Sequence, residues 1–153
     1  MKIVSSLLCD YATVREGLLH VLGGGVTQVR REEVPTDGLD LSIALMFAYA
    51  DFADFTSAHE FSVTIVDTSS GKSVAVAKAK IVNVPMQEEM APLPSVPAVL
   101  SLRALSLPSY SVYSVQISID GGDVATELQF RLVSEAPETA VSGEPSETSV
   151  NSS

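Results

Sequence analysis

The chain has 153 residues, 46% of them apolar, and a formal net charge of −10 at pH 7. That length suits one domain, and that apolar content fills one core. The negative charge repels phosphate backbones and anionic lipid surfaces, so nucleic acid and membranes are excluded as expected partners.

The opening run Lys2-Ile3-Val4-Ser5-Ser6-Leu7-Leu8-Cys9-Asp10 is a poor secretion signal. Its apolar stretch is short, two serines interrupt it, Asp10 follows at once, and no small-residue cleavage site ends it. It reads instead as a first strand from Ile3 to Tyr11. Cys9 is the single cysteine, so no internal disulfide forms. A lone thiol fits a reducing compartment, and the cytoplasm is the expected location. No apolar run reaches the roughly 18 residues that span a bilayer.

A turn over Thr13 to Gly17 leads to a second strand, Leu18 to Leu22. The triplet Gly23-Gly24-Gly25 then marks a bend, a bulge or a close approach, and the strand resumes at Thr27 to Arg30. Such a triplet could cradle an anion. It lacks the Lys and Ser/Thr of a phosphate loop and a following helix, so the backbone reading is preferred. Pro35-Thr36-Asp37-Gly38 is a strong turn, because Pro presets φ and Asp-Gly reverses the chain. The next strand, Leu39 to Ala50, sets Leu41, Ile43, Leu45, Phe47 and Tyr49 on one face. Ala44, Met46 and Ala48 on the other predict a central strand covered on both sides.

Asp51 to His59 is a loop or a short helical turn. Phe61, Val63 and Ile65 then alternate with Ser62 and Thr64, the pattern of a half-buried strand. Thr68 to Lys72 is a hairpin loop, and Val74 to Val84 is the returning strand. Its Lys78 and Lys80 face solvent, while Ala75, Ala77, Ala79 and Ile81 face inward. Pro85 to Pro97 holds four prolines and reads as a long ordered loop. Val99 to Leu107 is strand-like. Tyr113, Val115, Ile117 and Ile119 define another strand, Asp120-Gly121-Gly122-Asp123 turns it, and Leu128, Phe130 and Leu132 point inward from the last. From residue 135 on, Pro, Glu, Ser and Thr replace the periodic pattern, which predicts a disordered acidic tail over 135–153. Four glutamates and no basic residue lie in that tail.

The expected fold is an all-β, antiparallel β-sandwich of about eight strands over residues 1–134, immunoglobulin-like or jelly-roll. The run Cys9-Asp10-Tyr11-Ala12, then Gly17 before an apolar strand, then Gly23-Gly24-Gly25, together with the Asp67 to Gly71 hairpin, resembles a family of small bacterial proteins without an assigned activity. The resemblance covers about residues 3–134. Glu16 before the glycine and Leu18 after it depart from the usual pattern. The resemblance implies a fold and supplies no catalytic residues, cofactor or metal.

Chemistry-bearing residues are sparse. Cys9 with His20 would need to meet across the first hairpin to form a nucleophile and base. His59 with Asp51 and Asp54 could offer metal ligands, but at no established spacing. The faces bearing Ser101, Ser106, Ser111, Ser114 and Ser118 are either a contact surface or a solvated sheet face. The Pro85–Pro97 loop is the candidate partner-binding segment, through Met86, Glu88, Glu89, Met90 and Leu93, since exposed Met adapts to contacts and long loops often carry function. The expected function is a non-catalytic protein-binding or assembly module whose edge strands pair with a partner or a second copy. The alternatives are a structural subunit of a larger phage or cell-surface particle, and a Cys-dependent enzyme using Cys9 and His20.

Overall fold

A computed structural model describes residues 1–82, 93 and 95–135. Nine strands and one short helix lie among them: β1 (Lys2–Arg15), β2 (Leu18–Gly24), β3 (Gln28–Arg31), β4 (Ser42–Ala48), α1 (Phe52–Thr56), β5 (His59–Asp67), β6 (Lys72–Ile81), β7 (Val96–Ser101), β8 (Val112–Ile119) and β9 (Val124–Ser134). They build two sheets, of order β2-β1-β4-β7 and β3-β9-β8-β5-β6.

The core lies between the sheets because alternation along each strand sends its large apolar residues to one side. Ile43, Leu45 and Phe47 of β4 meet Val63 and Ile65 of β5, Val115 and Ile117 of β8, and Phe130 and Leu132 of β9. The Phe47 and Phe61 rings sit 5.2 Å apart, centroid to centroid. β4 is covered on both faces, as its sequence predicts. Ala44, on the far side from that core, is fully buried in a second small cluster with Cys9 and Ala12.

Four expectations change in detail. β1 runs on to Arg15, because Glu16 and Gly17 alone make the turn, with φ of 52° and 75°. Two successive positive φ values define a type I′ hairpin, whose twist matches the strands it joins. β4 is shorter than Leu39 to Ala50, and β7 runs from Val96 to Ser101 rather than Val99 to Leu107. The two displaced stretches bond to each other outside any strand. Leu102 N–H donates to the Leu41 carbonyl at 2.9 Å, Thr36 N–H to the Leu107 carbonyl at 3.0 Å, and Leu107 N–H to Thr36 Oγ1 at 2.9 Å. Pro97 fits inside β7 because that strand lies at a sheet edge. Finally, pairing is not antiparallel throughout: β3 runs parallel to β9, with Val29 beside Leu132.

Two polar networks pin the loops. Asp67 accepts hydrogen bonds from the hydroxyls of Ser69, Ser70 and Ser111, and from the Ser69 N–H. The Ser111 and Ser69 bonds are the main reason its carboxyl falls to about 2. His59, almost fully buried, places Nδ1 2.7 Å from Asp120 Oδ2 and Nε2 2.8 Å from the Asp54 carbonyl oxygen. Asp54 in turn meets the Met1 ammonium and accepts from the Ala50 N–H.

Candidate functional site

Each sheet has two edges, and three of the four are blunted against further pairing. β6 carries Lys72, Lys78 and Lys80, with Lys78 Nζ 3.2 Å from Glu60. β7 contains Pro97, and β3 is four residues long with two arginines. β2 differs. Its sequence Leu18-Leu19-His20-Val21-Leu22-Gly23-Gly24 has no formal charge and no proline.

The hairpin geometry sets what β2 presents. Arg15 pairs with Leu18, Thr13 with His20 and Tyr11 with Leu22. In a two-residue hairpin the pair flanking the turn is hydrogen-bonded, and bonded pairs alternate along the ladder. Leu18, His20 and Leu22 therefore bond to β1. Leu19, Val21 and Gly23 turn their N–H and C=O groups outward, to the free edge. The side chains add to this. Leu18 is 62% exposed, Leu22 69% and Tyr11 48%, with Val14 and Val21 also open. Half of the large exposed apolar side chains among the described residues belong to this one hairpin. Apolar surface gathered in this way is characteristic of contact sites.

The glycines end the strand sharply. A Cβ at Gly23, where φ is +63°, would fall on the Asp10 carboxylate, which lies over that glycine. Gly25 and Val26 then donate their N–H groups to the Leu8 carbonyl at 2.8 and 3.1 Å. The bend expected at the triplet is present, and it closes β2 rather than bulging it.

The other sequence candidates fare differently. The hairpin register separates Cys9 from His20: Cys9 lies opposite Gly24, and His20 opposite Thr13. The turn is Glu16 and Gly17 alone rather than Thr13 to Gly17, and that shift carries His20 away from Cys9. Cys9 is fully buried, and its thiol donates to the Ser42 carbonyl at 3.4 Å. Burial first, and the Asp10 charge second, push that thiol up, away from the thiolate a nucleophile needs. The Cys9–His20 pair is therefore not assembled.

His59 has both ring nitrogens engaged by Asp120 and the Asp54 backbone, and Asp51 uses its side chain to cap α1 through the Asp54 N–H at 2.8 Å. Those residues serve structure. No group of three or more His, Cys, Asp or Glu side chains placed to hold a metal ion occurs among the described residues. Ser114 is buried and donates to Glu127 Oε1 at 2.7 Å, and Ser111 donates to Asp67 at 2.6 Å, so the serine faces are partly consumed by internal bonds. Met86, Glu88, Glu89 and Met90 lie outside the described residues, as does the 136–153 stretch of the tail; Leu93 is half-buried.

An apolar slot of about 250 Å³ opens beside β6, lined by Val63, Ile65, Ala77, Leu100 and Leu105 among others. No titratable side chain lines it, so it offers shape without acid–base chemistry. No helix among the described residues is long and apolar enough to cross a membrane.

What marks β2 in the sequence is an absence. An apolar strand without a single gatekeeper charge, next to a two-residue turn, is what an unprotected edge looks like before its neighbours are known. No curated protein and no solved structure matches the chain. The model of DUF6941, a family of unknown function, matches residues 4–133, from the first strand almost to the end of the last, and the chain belongs to that family.

Proposed function

We propose that this domain is a non-catalytic protein-binding module that takes its partner by strand addition at β2. The observation that carries the reading is the contrast between edges: lysines, a proline or short length blunt β3, β6 and β7, while β2 is bare and apolar. Main-chain bonds at such an edge give affinity, and alternate side chains give selectivity. Leu18, Leu22 and Tyr11 on one face, and Val21 on the other, are the selective elements, while Leu19 packs partly against the Cys9, Ala12 and Ala44 cluster.

Val21→Pro tests this. The Val21 N–H points away from β1, so proline there removes an outward donor and no bond of the β1–β2 ladder. The variant is expected to melt within a few degrees of the parent. Tagged wild-type protein is expected to retain a stoichiometric protein from host lysate that Val21→Pro loses by at least tenfold. Equal capture by both would overturn the reading. Capture that survives Val21→Pro and is lost on deleting residues 86–96 would move the site to the proline-rich loop.

A further inference from the structure

We infer that the strand received by β2 is β2 of a second copy, laid antiparallel across a two-fold axis at His20. This rests on the reading of β2 as a docking edge and names its occupant.

Register selects this occupant. Outward bonds come from Leu19, Val21 and Gly23, so a self-paired edge must set these residues opposite one another. With the axis at His20, Leu19 exchanges both backbone bonds with the partner's Val21, and the axis repeats that exchange. Leu18 then lies opposite the partner's Leu22, and His20 opposite the partner's His20. These are the close, non-hydrogen-bonded positions, where cross-strand side chains touch most. Moving the axis to Val21 faces Leu18 and Leu19 with the partner's Gly24 and Gly23. Moving it to Leu19 faces Leu22 with the partner's Glu16 and Val21 with the partner's Gly17. Only the axis at His20 pairs every exposed leucine of β2 with an apolar side chain.

The rows continue beyond the seam. Tyr11, Leu22, the partner's Leu18 and the partner's Arg15 form one row across four strands, and Val14, Leu19, the partner's Val21 and the partner's Ala12 form another. The result is a continuous sheet through both copies, with an isologous interface that closes on itself.

Local charge permits this seam. Two chains of −10 repel, so a homodimer of this protein needs a contact where like charges do not meet. In this register Glu16 lies opposite the partner's Gly24, and no charged residue faces another across the seam. β6 is less suited, because Lys72, Lys78 and Lys80 put like charges along its edge.

An edge contact of this length belongs with the weak interfaces of under ~1,200 Å². Dimerisation is therefore read by sedimentation over a range from low micromolar to submillimolar protein.

The test uses His20, which is exposed. His20→Glu and His20→Lys each place like charges directly opposite at the axis, and each is expected to weaken the dimer at least tenfold. An equimolar mixture of the two is expected to restore a dimer as tight as the parent or tighter, because Glu then faces Lys. A monomeric parent across the whole range would overturn the inference, as would variants that dimerise like the parent or a mixture that stays monomeric. If the parent is monomeric but lysate capture still depends on Val21, the docking reading stands and the second copy is not the occupant.

Discussion

Gly38→Ala is expected to cost about 3 kcal/mol and to lower the melting temperature by roughly 6–12 °C. Gly38 has φ +78°, in the region that a Cβ disfavours by roughly 1–2 kcal/mol. The greater part of the loss is steric. A Cβ there would fall on the Arg103 carbonyl oxygen, a backbone atom that no rotamer change can move. The neighbourhood cannot yield cheaply. On either side of Gly38, Thr36 and Leu39 bond to Leu107 and Leu102, and those leucines are buried. Shifting residues 102–107 would unseat both. Thermal unfolding followed by circular dichroism checks this, and a variant that melts with the parent would show that the turn is not held as described.

His59→Ala is expected to cost about 2–4 kcal/mol, with a distinct pH signature. The substitution empties a buried site and leaves the Asp54 carbonyl without the ring N–H. Burial opposes the imidazolium, but the bond to Asp120 and the nearby Asp54 outweigh it, so the ring titrates above its usual range. A raised value in the folded state means that the folded protein holds the proton more tightly than the unfolded chain does. The contribution is therefore complete below about pH 6.5 and fades as pH rises through the raised value. The partners run the other way. The bond to His59, followed by the Glu60 N–H, lowers Asp120. Burial opposes ionisation of Asp54, but the Met1 ammonium and the Ala50 N–H lower it on balance. Their contributions are present at neutral pH and lost on acidification below about pH 4. The stability gap between parent and His59→Ala is thus expected to be widest near pH 5–6 and narrower at pH 8 and at pH 3. A gap that stays flat from pH 5 to pH 8 would remove the charged imidazole from the network.

Much of the sandwich is legible in the sequence because alternation is a local property. Phe61, Val63 and Ile65 against Ser62 and Thr64 state a half-buried strand, and the structure places them in β5 with that burial. Leu128, Phe130 and Leu132 do the same for β9, and Thr68 to Lys72 for the hairpin. Pairing between distant segments is not written locally. The parallel match of β3 with β9 joins residues about a hundred positions apart, and neither strand announces its direction. The apolar residues from Leu39 to Leu41 and from Leu102 to Leu107 read as strand because they are buried. They are buried by bonding to each other in irregular backbone. Register is the other hidden quantity. Glu16 is an uncommon residue at positive φ, so the turn reads as longer than it is. A longer turn would bring His20 close to Cys9; the two-residue turn carries it away. The β2 edge is half visible: its apolar character stands in the sequence, but its lack of a neighbouring strand among the described residues emerges only with the sheet order.

If β2 is the edge where this domain takes another strand, backbone amide exchange at Leu19 and Val21 reports it. In dilute protein these two amides are expected to exchange rapidly while those of His20 and Leu22, bonded to β1, stay protected. In the assembled state, reached at high concentration or with the partner bound, Leu19 and Val21 are expected to become protected together. If assembly slows exchange elsewhere in the chain and leaves these two amides as fast as before, the docking edge is not β2.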